Sequence, residues 1–338
     1  MGVMFDVITI GTATRDVLLS GPSVRILKDP EHLKKIGFKT GEAECFALGA
    51  KLEVENPVFA TGGGAVNAAV TFRRQGFKTA VLVRVGKDAQ GDVIVENLKK
   101  EKITPFAVRD KKVGTAYSTI LLGPGGERTI LVYRGASERL EPKEVPFSKL
   151  RATWAYIAPG TIKLPLMADI VKRLKERGTK IAMNPSRYYL ESPGTYLKPL
   201  FKNLDIVIVN REEASLMTGV PYAREREIFH KFDEWVPGIA VVTDGARGAK
   251  VSDGTYLYTA GIFKEKKLVD RTGAGDAFGS GFVAGLMQKD DIHFAIRLGL
   301  ANAASVVEAM GAEAGILTAK EFTSRRWQQY LNLDVDPL

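Results

Sequence analysis

Residues 269–286 read VDRTGAGDAFGSGFVAGL, a cluster of small residues around one acid, Asp276, followed directly by an apolar run. The apolar run predicts a helix that begins near Gly273, Ala274 and Gly275. A helix N-terminus has free N–H groups and the positive end of the helix dipole, and glycines let a backbone approach an anion closely. The segment therefore predicts either a cradle for a phosphoryl group, with Asp276 as the general base for a hydroxyl, or an ordinary helix start with an acidic cap. It is not a Walker loop, because the GK[ST] ending is missing.

The rest of the chain alternates short strand-like runs with helical segments. The runs are rich in Val and Ile and are apolar without alternation, as expected for strands that are covered on both faces. This order predicts a doubly wound α/β fold with a mainly parallel sheet, and we expect residues 1–338 to form one domain. The predicted strands cover residues 5–11, 79–86, 155–160, 179–185, 205–210 and 238–245, and the predicted helices cover residues 64–75, 90–100, 163–177, 211–218, 224–235, 275–288, 291–309 and 318–331.

Two segments interrupt this alternation, residues 17–60 and residues 113–134. The second has β-rich runs on either side of Pro124-Gly125-Gly126, which predicts a hairpin. A long insertion in a compact domain is usually functional or disordered, and the β-rich content favours function. We therefore expect a small β-sheet, built from residues 43–60 and 113–134, that closes over the substrate as a lid. Apolar residues on both of its faces predict a homodimer through the lids, or else a monomer in which residues 20–42 cover the outer face.

The charge balance is basic, with 48 Lys and Arg residues against 39 Asp and Glu residues. The basic residues are scattered as pairs without interleaved aromatic residues, so we expect no nucleic-acid partner and a general attraction for a small polyanion such as a nucleotide. No apolar run approaches the ~20 residues that cross a bilayer, so we expect no membrane association. The single cysteine, Cys45, excludes an internal disulfide framework, and the start lacks the features of a signal peptide. We therefore expect a cytoplasmic protein.

Four motifs, in order along the chain, resemble the signatures of the ribokinase-like (PfkB) family of carbohydrate kinases. TGGGAVNAAVTFRRQGFKTAVLVRVGKDAQGDVIVENLKKEKI, residues 61–103, is similar to the N-terminal signature, and the segment that begins at Val269 is similar to the C-terminal one. VNREEA, residues 209–214, resembles the Asn-x-x-Glu element, and VTDGARGA, residues 242–249, resembles the nucleotide loop. The resemblance implies ATP-dependent phosphorylation of a hydroxymethyl group by a ribokinase-like domain with a β-sheet lid.

The resemblance also implies which residues bind ATP and Mg²⁺. Asp276 would be the catalytic base, and the N–H groups of Ala274 and Gly275, with Gly273, would form the anion hole. Asn210 and Glu213 resemble the pair that organises Mg²⁺, with Glu213 acting through water; the alternative for this pair is a helix cap followed by a first-turn acid. The residues that would contact the nucleotide are Thr243, Gly245 and Gly248, with Asn302 near the adenine.

The acceptor and cation sites are implied in the same way. Asp16 stands where the family has an acid that binds acceptor hydroxyls. The glycine-rich turn of the first signature contributes Gly63, Gly64 and Asn67, whose amide can both donate and accept. Asp270 and the loop 311–315 match the places where the family often holds K⁺; the alternative is that Asp270 merely ends a strand.

The class of substrate stays open, because a fold does not fix the molecule that it binds. The first reading is a kinase for a small sugar or sugar acid, of the ribokinase, fructokinase or ketodeoxygluconate-kinase type. The second is a nucleoside kinase of the adenosine type. The third, from another class, is a sugar- or nucleotide-binding protein without catalysis, and the presence of Asp276, the glycines and Glu213 argues against it. A dehydrogenase lacks its fingerprint, because no acid follows the TGGG turn at the required distance.

Overall fold

The computed structural model describes residues 3–20, 25–38, 41–123 and 128–338. The strands in those ranges are β1 (Phe5–Gly11), β2 (Thr14–Ser20), β3 (Arg25–Lys28), β4 (Glu42–Cys45), β5 (Glu55–Gly62), β6 (Thr79–Gly86), β7 (Thr104–Asp110), β8 (Tyr117–Leu122), β9 (Arg128–Tyr133), β10 (Ala152–Ala158), β11 (Lys180–Met183), β12 (Ile206–Asn210), β13 (Ile239–Thr243), β14 (Ala249–Ser252), β15 (Tyr256–Ala260) and β16 (Leu333–Pro337). The α-helices are α1 (Pro30–Lys35), α2 (Gly64–Arg74), α3 (Ala89–Lys100), α4 (Leu164–Lys175), α5 (Arg187–Leu190), α6 (Gly194–Phe201), α7 (Arg211–Thr218), α8 (Glu225–Asp233), α9 (Ala274–Lys289), α10 (Ile292–Val306), α11 (Ala319–Phe322) and α12 (Arg325–Gln328).

The largest sheet in these ranges has ten strands in the order β16-β15-β14-β13-β12-β11-β10-β1-β6-β7. The run from β13 to β7 is parallel throughout, and β14, β15 and β16 add an antiparallel edge. Helices lie between the successive parallel strands, as in doubly wound α/β proteins. The predicted fold class is confirmed.

Both faces of the large sheet are covered. Along β1, Val7 packs into a core with Phe72 of α2 and Phe282 of α9, whereas Ile8 packs on the opposite face into a core with Ile170 of α4. Neighbouring residues of a strand point to opposite faces, so an apolar run without alternation is what a sheet between two helix layers requires. Of the helices in the described ranges, none combines the length and the apolarity that a membrane span needs.

A smaller sheet stands apart from the large one, with the order β5-β2-β8-β9. β2 pairs with β8 in parallel, and the two edge pairs are antiparallel. The predicted hairpin is present as β8 and β9, and its Pro124-Gly125-Gly126 turn lies outside the described residues. The prediction that residues 43–60 join this sheet is only partly right: β5 does, whereas β4 pairs with β3 in a separate two-stranded sheet, and the small sheet already begins at Thr14.

The C-terminal part differs from the sequence prediction. The helix expected over residues 318–331 is divided into α11 and α12, and β16 then pairs with β15 at the edge of the large sheet. The division falls at Ser324, whose backbone is extended (φ −63°, ψ 150°), so the chain starts a new helix there. Thr318 starts α11 with a complete capping box, in which its side chain bonds to the N–H of Glu321.

Candidate active site

The first turn of α9 has the backbone geometry of an anion site. Gly273 precedes the helix with φ 79°, in the left-handed region that favours glycine, and a Cβ there would overlap Ala312. The N–H of Ala277 donates to the carbonyl oxygen of Gly273 at 2.8 Å, as a continuing helix requires. The N–H of Ala274 donates to the carbonyl oxygen of Arg271 at 3.4 Å, a long hydrogen bond, whereas the N–H of Gly275 has no acceptor among the described residues. Ala274 and Gly275 line a cavity, so the positive end of the helix faces an open space.

Asp276 occupies the third position of α9 and faces the glycine-rich turn of the first signature. The side-chain Nδ2 of Asn67, on α2, donates to Oδ2 of Asp276 at 2.8 Å. Burial raises the pKa of the Asp276 carboxyl, and the bond from Asn67 opposes that rise. The other amide atom, Oδ1 of Asn67, is buried and has no partner among the described residues. The Asn67 amide therefore donates one hydrogen bond to Asp276, and its acceptor oxygen is left without a partner beside that acid in the described part of the chain.

The glycines of this turn allow close contact with Asp276 and with the chain that follows β1. A Cβ on Gly64 would lie 2.7 Å from Cβ of Ala158 and 3.4 Å from Oδ1 of Asp276. Gly63 precedes α2 with φ 96°, and a Cβ there would lie 2.6 Å from the carbonyl oxygen of Thr12. These positions accept only glycine without a shift of the neighbouring chain.

Asp16 lies on β2 of the small sheet and is buried. Its Oδ1 accepts a hydrogen bond from Oγ1 of Thr14 at 2.9 Å. Burial raises the pKa of the Asp16 carboxyl, and the bonds from Thr14 and Ser118 oppose that rise. A Cβ on Gly62 would overlap Oδ2 of Asp16, which places this acid directly beside the glycine-rich turn. The small sheet thus contributes a buried carboxyl beside the glycine-rich turn.

Asn210 and Glu213 form a reciprocal cap at the start of α7. Oδ1 of Asn210 accepts from the N–H of Glu213, and Oε2 of Glu213 accepts from the N–H of Asn210, both at 2.9 Å. This is the capping-box alternative that the sequence allowed. Burial raises the pKa of Glu213, and the negative charges of Glu212 and Asp276 act in the same direction. The cap therefore shares an electrostatic environment with Asp276.

A cavity of about 390 Å³ opens beside the first turn of α9. Thr243, Gly245 and Gly248, which belong to the segment that resembles the nucleotide loop, line it. Its volume falls in the range of small-molecule sites, and most of its wall is apolar. The lining residues that sequence reasoning did not identify include Arg128, Ile262, Leu268, Phe278, Leu300, Ala303, Ala304 and Val307. Arg128 is the first residue of β9, so the small sheet reaches this cavity as well.

Asn302 does not lie where the resemblance placed it. The side chain is fully buried; its Nδ2 donates to the carbonyl oxygen of Ala277 at 2.9 Å, and its Oδ1 accepts from the N–H of Leu317 at 2.9 Å. Other residues of α10, among them Leu300 and Ala303, form the cavity wall. Asn302, which was expected near the adenine, therefore has a core position that joins α9 and α10 to the C-terminal segment, and its side chain does not line the first cavity.

Asp270 meets the loop that the resemblance paired with it. Its Oδ2 accepts from the N–H of Gly311 at 3.0 Å, and its Oδ1 accepts from the N–H and Oγ1 of Thr272 at 2.9 and 2.7 Å. The acid is buried, with 1% of its surface exposed. No strand ends at Asp270, because residues 261–273 form none; the carboxylate instead fixes Gly311, the first residue of the loop 311–315, against the residues before α9. No group of three or more His, Cys, Asp or Glu in the described ranges is arranged to hold a metal ion by itself.

A second cavity, of about 500 Å³, was not foreseen from the sequence. Three cationic side chains line it, those of Arg134, Arg139 and Lys163. Of these three, only Arg134 has an ion-pair partner within the described residues, Glu138 at 2.9 Å. Its wall includes Thr161, the neighbour of Gly160, which lies against Thr12. The lining residues are Val113, Tyr133, Arg134, Gly135, Glu138, Arg139, Thr161, Lys163 and Tyr188.

This second cavity is connected to the acids through one short series of contacts. Oγ1 of Thr12 accepts from the N–H of Gly64 at 3.0 Å, and Gly64 in turn lies beside Asp276. The N–H of Ala13 donates to Oγ of Ser137 at 3.0 Å, which joins the segment after β1 to the 3₁₀ turn whose ends, Gly135 and Glu138, line the cavity.

Known proteins resemble this chain over most of its length. The model of the "pfkB family carbohydrate kinase" matches residues 32–319. A ribokinase of Haemophilus influenzae is 29% identical over 285 residues, covering 81% of this chain and 89% of that protein. A 5-dehydro-2-deoxygluconokinase of Clostridium perfringens is 27% identical over 295 residues, covering 80% of this chain and 85% of its own length. The structure of Arabidopsis thaliana ribokinase complexed with ribose and ATP has a TM-score of 0.77 at 19% identity and covers 97% of this chain and 100% of that chain, which shows the fold. The chain therefore belongs to the PfkB family of carbohydrate kinases and is a phosphotransferase that acts on a sugar alcohol group.

Proposed function

We propose that this protein transfers the γ-phosphoryl group of ATP to the hydroxymethyl group of a small sugar or sugar acid, with Asp276 as the general base. The observation that carries the proposal is the place of Asp276, a carboxyl of raised pKa beside the N–H of Gly275 and Oδ1 of Asn67, neither of which has a partner among the described residues. A base, an anion cradle and an acceptor for a hydroxyl hydrogen thus lie together.

In the proposed reaction, the carboxylate of Asp276 takes the proton of the acceptor hydroxyl. The oxygen attacks the γ-phosphorus, the bond to the bridging oxygen of the β-phosphate breaks, and ADP leaves. The N–H groups of Ala274 and Gly275 stabilise the negative charge on the transferring group. Oδ1 of Asn67 and the carboxylate of Asp16 accept hydrogen bonds from other hydroxyls and fix the orientation of the acceptor.

The first cavity is the proposed nucleotide site. Its apolar wall suits an adenine, and Thr243 with the glycines 245 and 248 lies between that wall and the start of α9. Asn210 and Glu213 fit a hydrated Mg²⁺, since this ion keeps several waters and takes few direct protein ligands. Bound there with its waters, Mg²⁺ would neutralise phosphate charge. Glu213 would hold it through water, because its Oε2 already bonds to the backbone N–H of Asn210.

The second cavity favours a sugar acid among the possible acceptors. Arg139 and Lys163 have no ion-pair partner in the described part of the chain, and two tyrosines flank them. Such an arrangement favours a carboxylate at the end of the acceptor away from the phosphorylated hydroxyl. The related 5-dehydro-2-deoxygluconokinase is named for an acid of this kind. A nucleoside has no anionic group for these cations, which makes the nucleoside reading the second candidate.

The proposal is tested by measuring ADP release from ATP with panels of neutral sugars, sugar acids and nucleosides. With the best acceptor, Asp276→Asn should lower kcat by ~10²–10⁴ while nucleotide binding is retained. Glu212→Gln, an exposed acid of the same region, is the matched control and should leave kcat within about twofold. Turnover of Asp276→Asn near that of wild type would refute the base. Heat of nucleotide binding without turnover of any acceptor would favour a binding protein without catalysis.

The acceptor class is tested separately. Arg139→Ala and Lys163→Ala should each raise KM for a sugar acid by about tenfold, as for the loss of one charge-assisted hydrogen bond, and leave KM for a neutral sugar unchanged. Equal changes in both values of KM would contradict the proposed carboxylate contact.

Four further properties are proposed along with the activity. The small sheet closes as a lid when the acceptor binds, since it carries Asp16 and reaches both cavities. Two lids pair in a homodimer, because β9 is exposed along its whole length and Phe59 of the other edge strand, β5, is 61% exposed. A K⁺ ion lies near Asp270 and the loop 311–315. The protein is located in the cytoplasm, since its single cysteine fits a reducing cytosol.

A further inference from the structure

A compact polar cluster surrounds Asp244, the residue that follows Thr243 at the end of β13. The carboxylate accepts hydrogen bonds from Nη1 of Arg211 at 2.9 Å and from Oη of Tyr222 at 2.8 Å. It also accepts from Nε and Nη2 of Arg247, at 2.8 and 2.7 Å. Asp244 itself does not line the first cavity, whereas its neighbours Thr243 and Gly245 do. The cluster thus includes two residues of the proposed nucleotide loop, Asp244 and Arg247, that do not line the cavity.

Arg211 is the first residue of α7 and is itself held from several sides. Its Nε and Nη2 donate to the carbonyl oxygen of Tyr222 at 3.1 and 2.9 Å, and its guanidinium lies 4.4 Å from the centre of the Tyr222 ring. Nη1 also lies 3.1 Å from Oε2 of Glu225. Only 15% of the Arg211 side chain and 16% of the Asp244 side chain are exposed. A planar guanidinium held in this way has little freedom to leave the carboxylate.

The position of the pair relates it to the site. β12 and β13 are parallel neighbours, and their last paired residues are Asn210 and Thr243. Beyond that pair the two segments separate. The segment after β12 enters α7, which starts with the Asn210 and Glu213 cap, and the segment after β13 enters the loop that ends at Gly248. Arg211 and Asp244 are the next residue on each chain, so their ion pair is the first connection after the strand ladder ends.

We infer that Asp244 and Arg211 are positioning residues, which hold the loop Thr243–Gly248 at a fixed separation from the start of α7 so that both contact one nucleotide. The inference rests on the proposed function, because it takes the first cavity as the nucleotide site. It goes beyond that function by giving a role in nucleotide binding to a carboxylate that does not line the cavity.

The charge of Asp244 supports this role. A free carboxylate behind a phosphate-binding loop would repel the nucleotide, whereas this one faces two guanidinium groups. The hydrogen bonds from Arg247, followed by those from Arg211 and Tyr222, hold the pKa of Asp244 well below its usual range. The carboxylate therefore stays ionised, and the link stays intact, throughout the neutral pH range.

The test measures the Kd for ADP by titration calorimetry, and KM and kcat with ATP. Asp244→Ala removes all the hydrogen bonds to the carboxylate and frees the loop from α7, so it should raise the Kd for ADP and the KM for ATP by about tenfold and change kcat by less than about threefold. Asp244→Asn keeps a side chain that accepts from Arg211 and should show a smaller rise. If Asp244→Ala fails to fold, Asp244→Asn and Arg211→Gln carry the test, and each should raise the Kd for ADP by at least about threefold.

Glu225→Gln is the matched control. It removes the other carboxylate beside Arg211 and the partner of Lys250, so it should lower Tm, but it leaves the contact between Arg211 and Asp244 in place. Its Kd for ADP should stay within about twofold of wild type. Arg247, with 66% of its side chain exposed, should contribute less than Arg211 when each is replaced by Ala, because exposed ion pairs are weak.

The outcomes separate this inference from the proposed function. A wild-type protein that shows no heat with ADP contradicts the nucleotide site and the proposed function with it. Wild-type binding together with an unchanged Kd in the folded Asp244 variants overturns the inference alone. A lowered Tm with an unchanged Kd and KM in the Asp244 variants means that the cluster only stabilises the fold, which overturns the inference. A rise of the Kd for ADP in Arg247→Ala as large as that in Arg211→Ala means that Asp244 acts only through the exposed Arg247, which also overturns it.

Discussion

The hydrogen bond between Asn67 and Asp276 sets the pH range in which the proposed base can act. Nδ2 of Asn67 lies 2.8 Å from Oδ2 of Asp276 and favours the ionised form of a carboxyl whose pKa burial raises. Asn67→Ala removes this donor. A hydrogen bond to a charged group is worth about 1.5–3 kcal/mol, and 1.36 kcal/mol corresponds to one pKa unit. The pKa of Asp276 should therefore rise by about one to two units in the variant.

The assay is the pH dependence of kcat/KM for the acceptor at saturating ATP, which reports the groups of the enzyme before the acceptor binds. The base must be ionised, so activity is lost as the pH falls through the pKa of Asp276. We expect the acid limb of Asn67→Ala to lie about one to two units above that of wild type, with a lower plateau because a contact to the acceptor is also lost.

Ser280→Ala is the control for this experiment. Oγ of Ser280 donates to the backbone carbonyl oxygen of Asp276 at 2.6 Å, so its loss disturbs the same turn without removing a bond to the carboxylate. Its acid limb should coincide with that of wild type. A lowered plateau with an unmoved acid limb in Asn67→Ala would refute the reasoning, since the titrating group would then not be the carboxyl that Asn67 contacts.

Three other predictions concern stability, ions and assembly. Burial raises the pKa of Glu313 from 4.5 to about 7, so its ionised form is disfavoured in the fold and stability is lost as the pH rises between those values. Glu313→Gln keeps an acceptor for Thr61, and its free energy of unfolding in urea should exceed that of wild type by about 1–3 kcal/mol at pH 8 and match it near the unfolded pKa. Turnover should be faster in potassium than in tetramethylammonium salts, and equal rates would exclude a functional cation at Asp270. Light scattering at micromolar concentration should give the mass of two chains, and the mass of one chain, unchanged by sugar and nucleotide, would exclude the dimer.

The parallel core could be predicted from the sequence because burial on both faces leaves a local pattern. β6 is buried at each of its eight positions, and its run of apolar residues is visible without any knowledge of its neighbours. The glycine turns could be predicted for a similar reason, since Gly273 and Gly63 have a backbone conformation that other residues rarely adopt.

The small sheet was predicted less accurately, because its pairing depends on contacts between distant segments. β2 lies in parallel with β8, about a hundred residues further along the chain, and nothing local distinguishes that partner from β4. The register of two paired strands depends on which face of each strand becomes buried. For strands of mixed polarity, that face cannot be predicted from the sequence alone.

Asn302 illustrates a different limit. A motif gives the position of a residue along a helix, but the side chain that reaches a cavity depends on the rotation of that helix. Leu300 and Ala304, four residues apart, share the face of α10 that lines the first cavity. Asn302 lies about 200° around the helix from Leu300, on the side that packs against α9. Its amide therefore satisfies backbone groups in the core.

Three buried acids of the candidate site cost folding free energy, and binding accounts for that cost better than stability does. Burial raises the pKa of Asp16, Asp276 and Glu213, so each ionised carboxylate costs folding free energy at neutral pH. The hydrogen bonds from Thr14 and Asn67 offset only part of that cost, because both carboxyls still titrate above their ordinary range. A fold selected for stability alone would replace such groups with apolar ones. Asp276 lies beside the N–H of Gly275 and Oδ1 of Asn67, which have no partner in the described part of the chain, and a bound phosphoryl group and hydroxyl would supply those partners; burial of the acid is therefore explained by substrate binding rather than by stability.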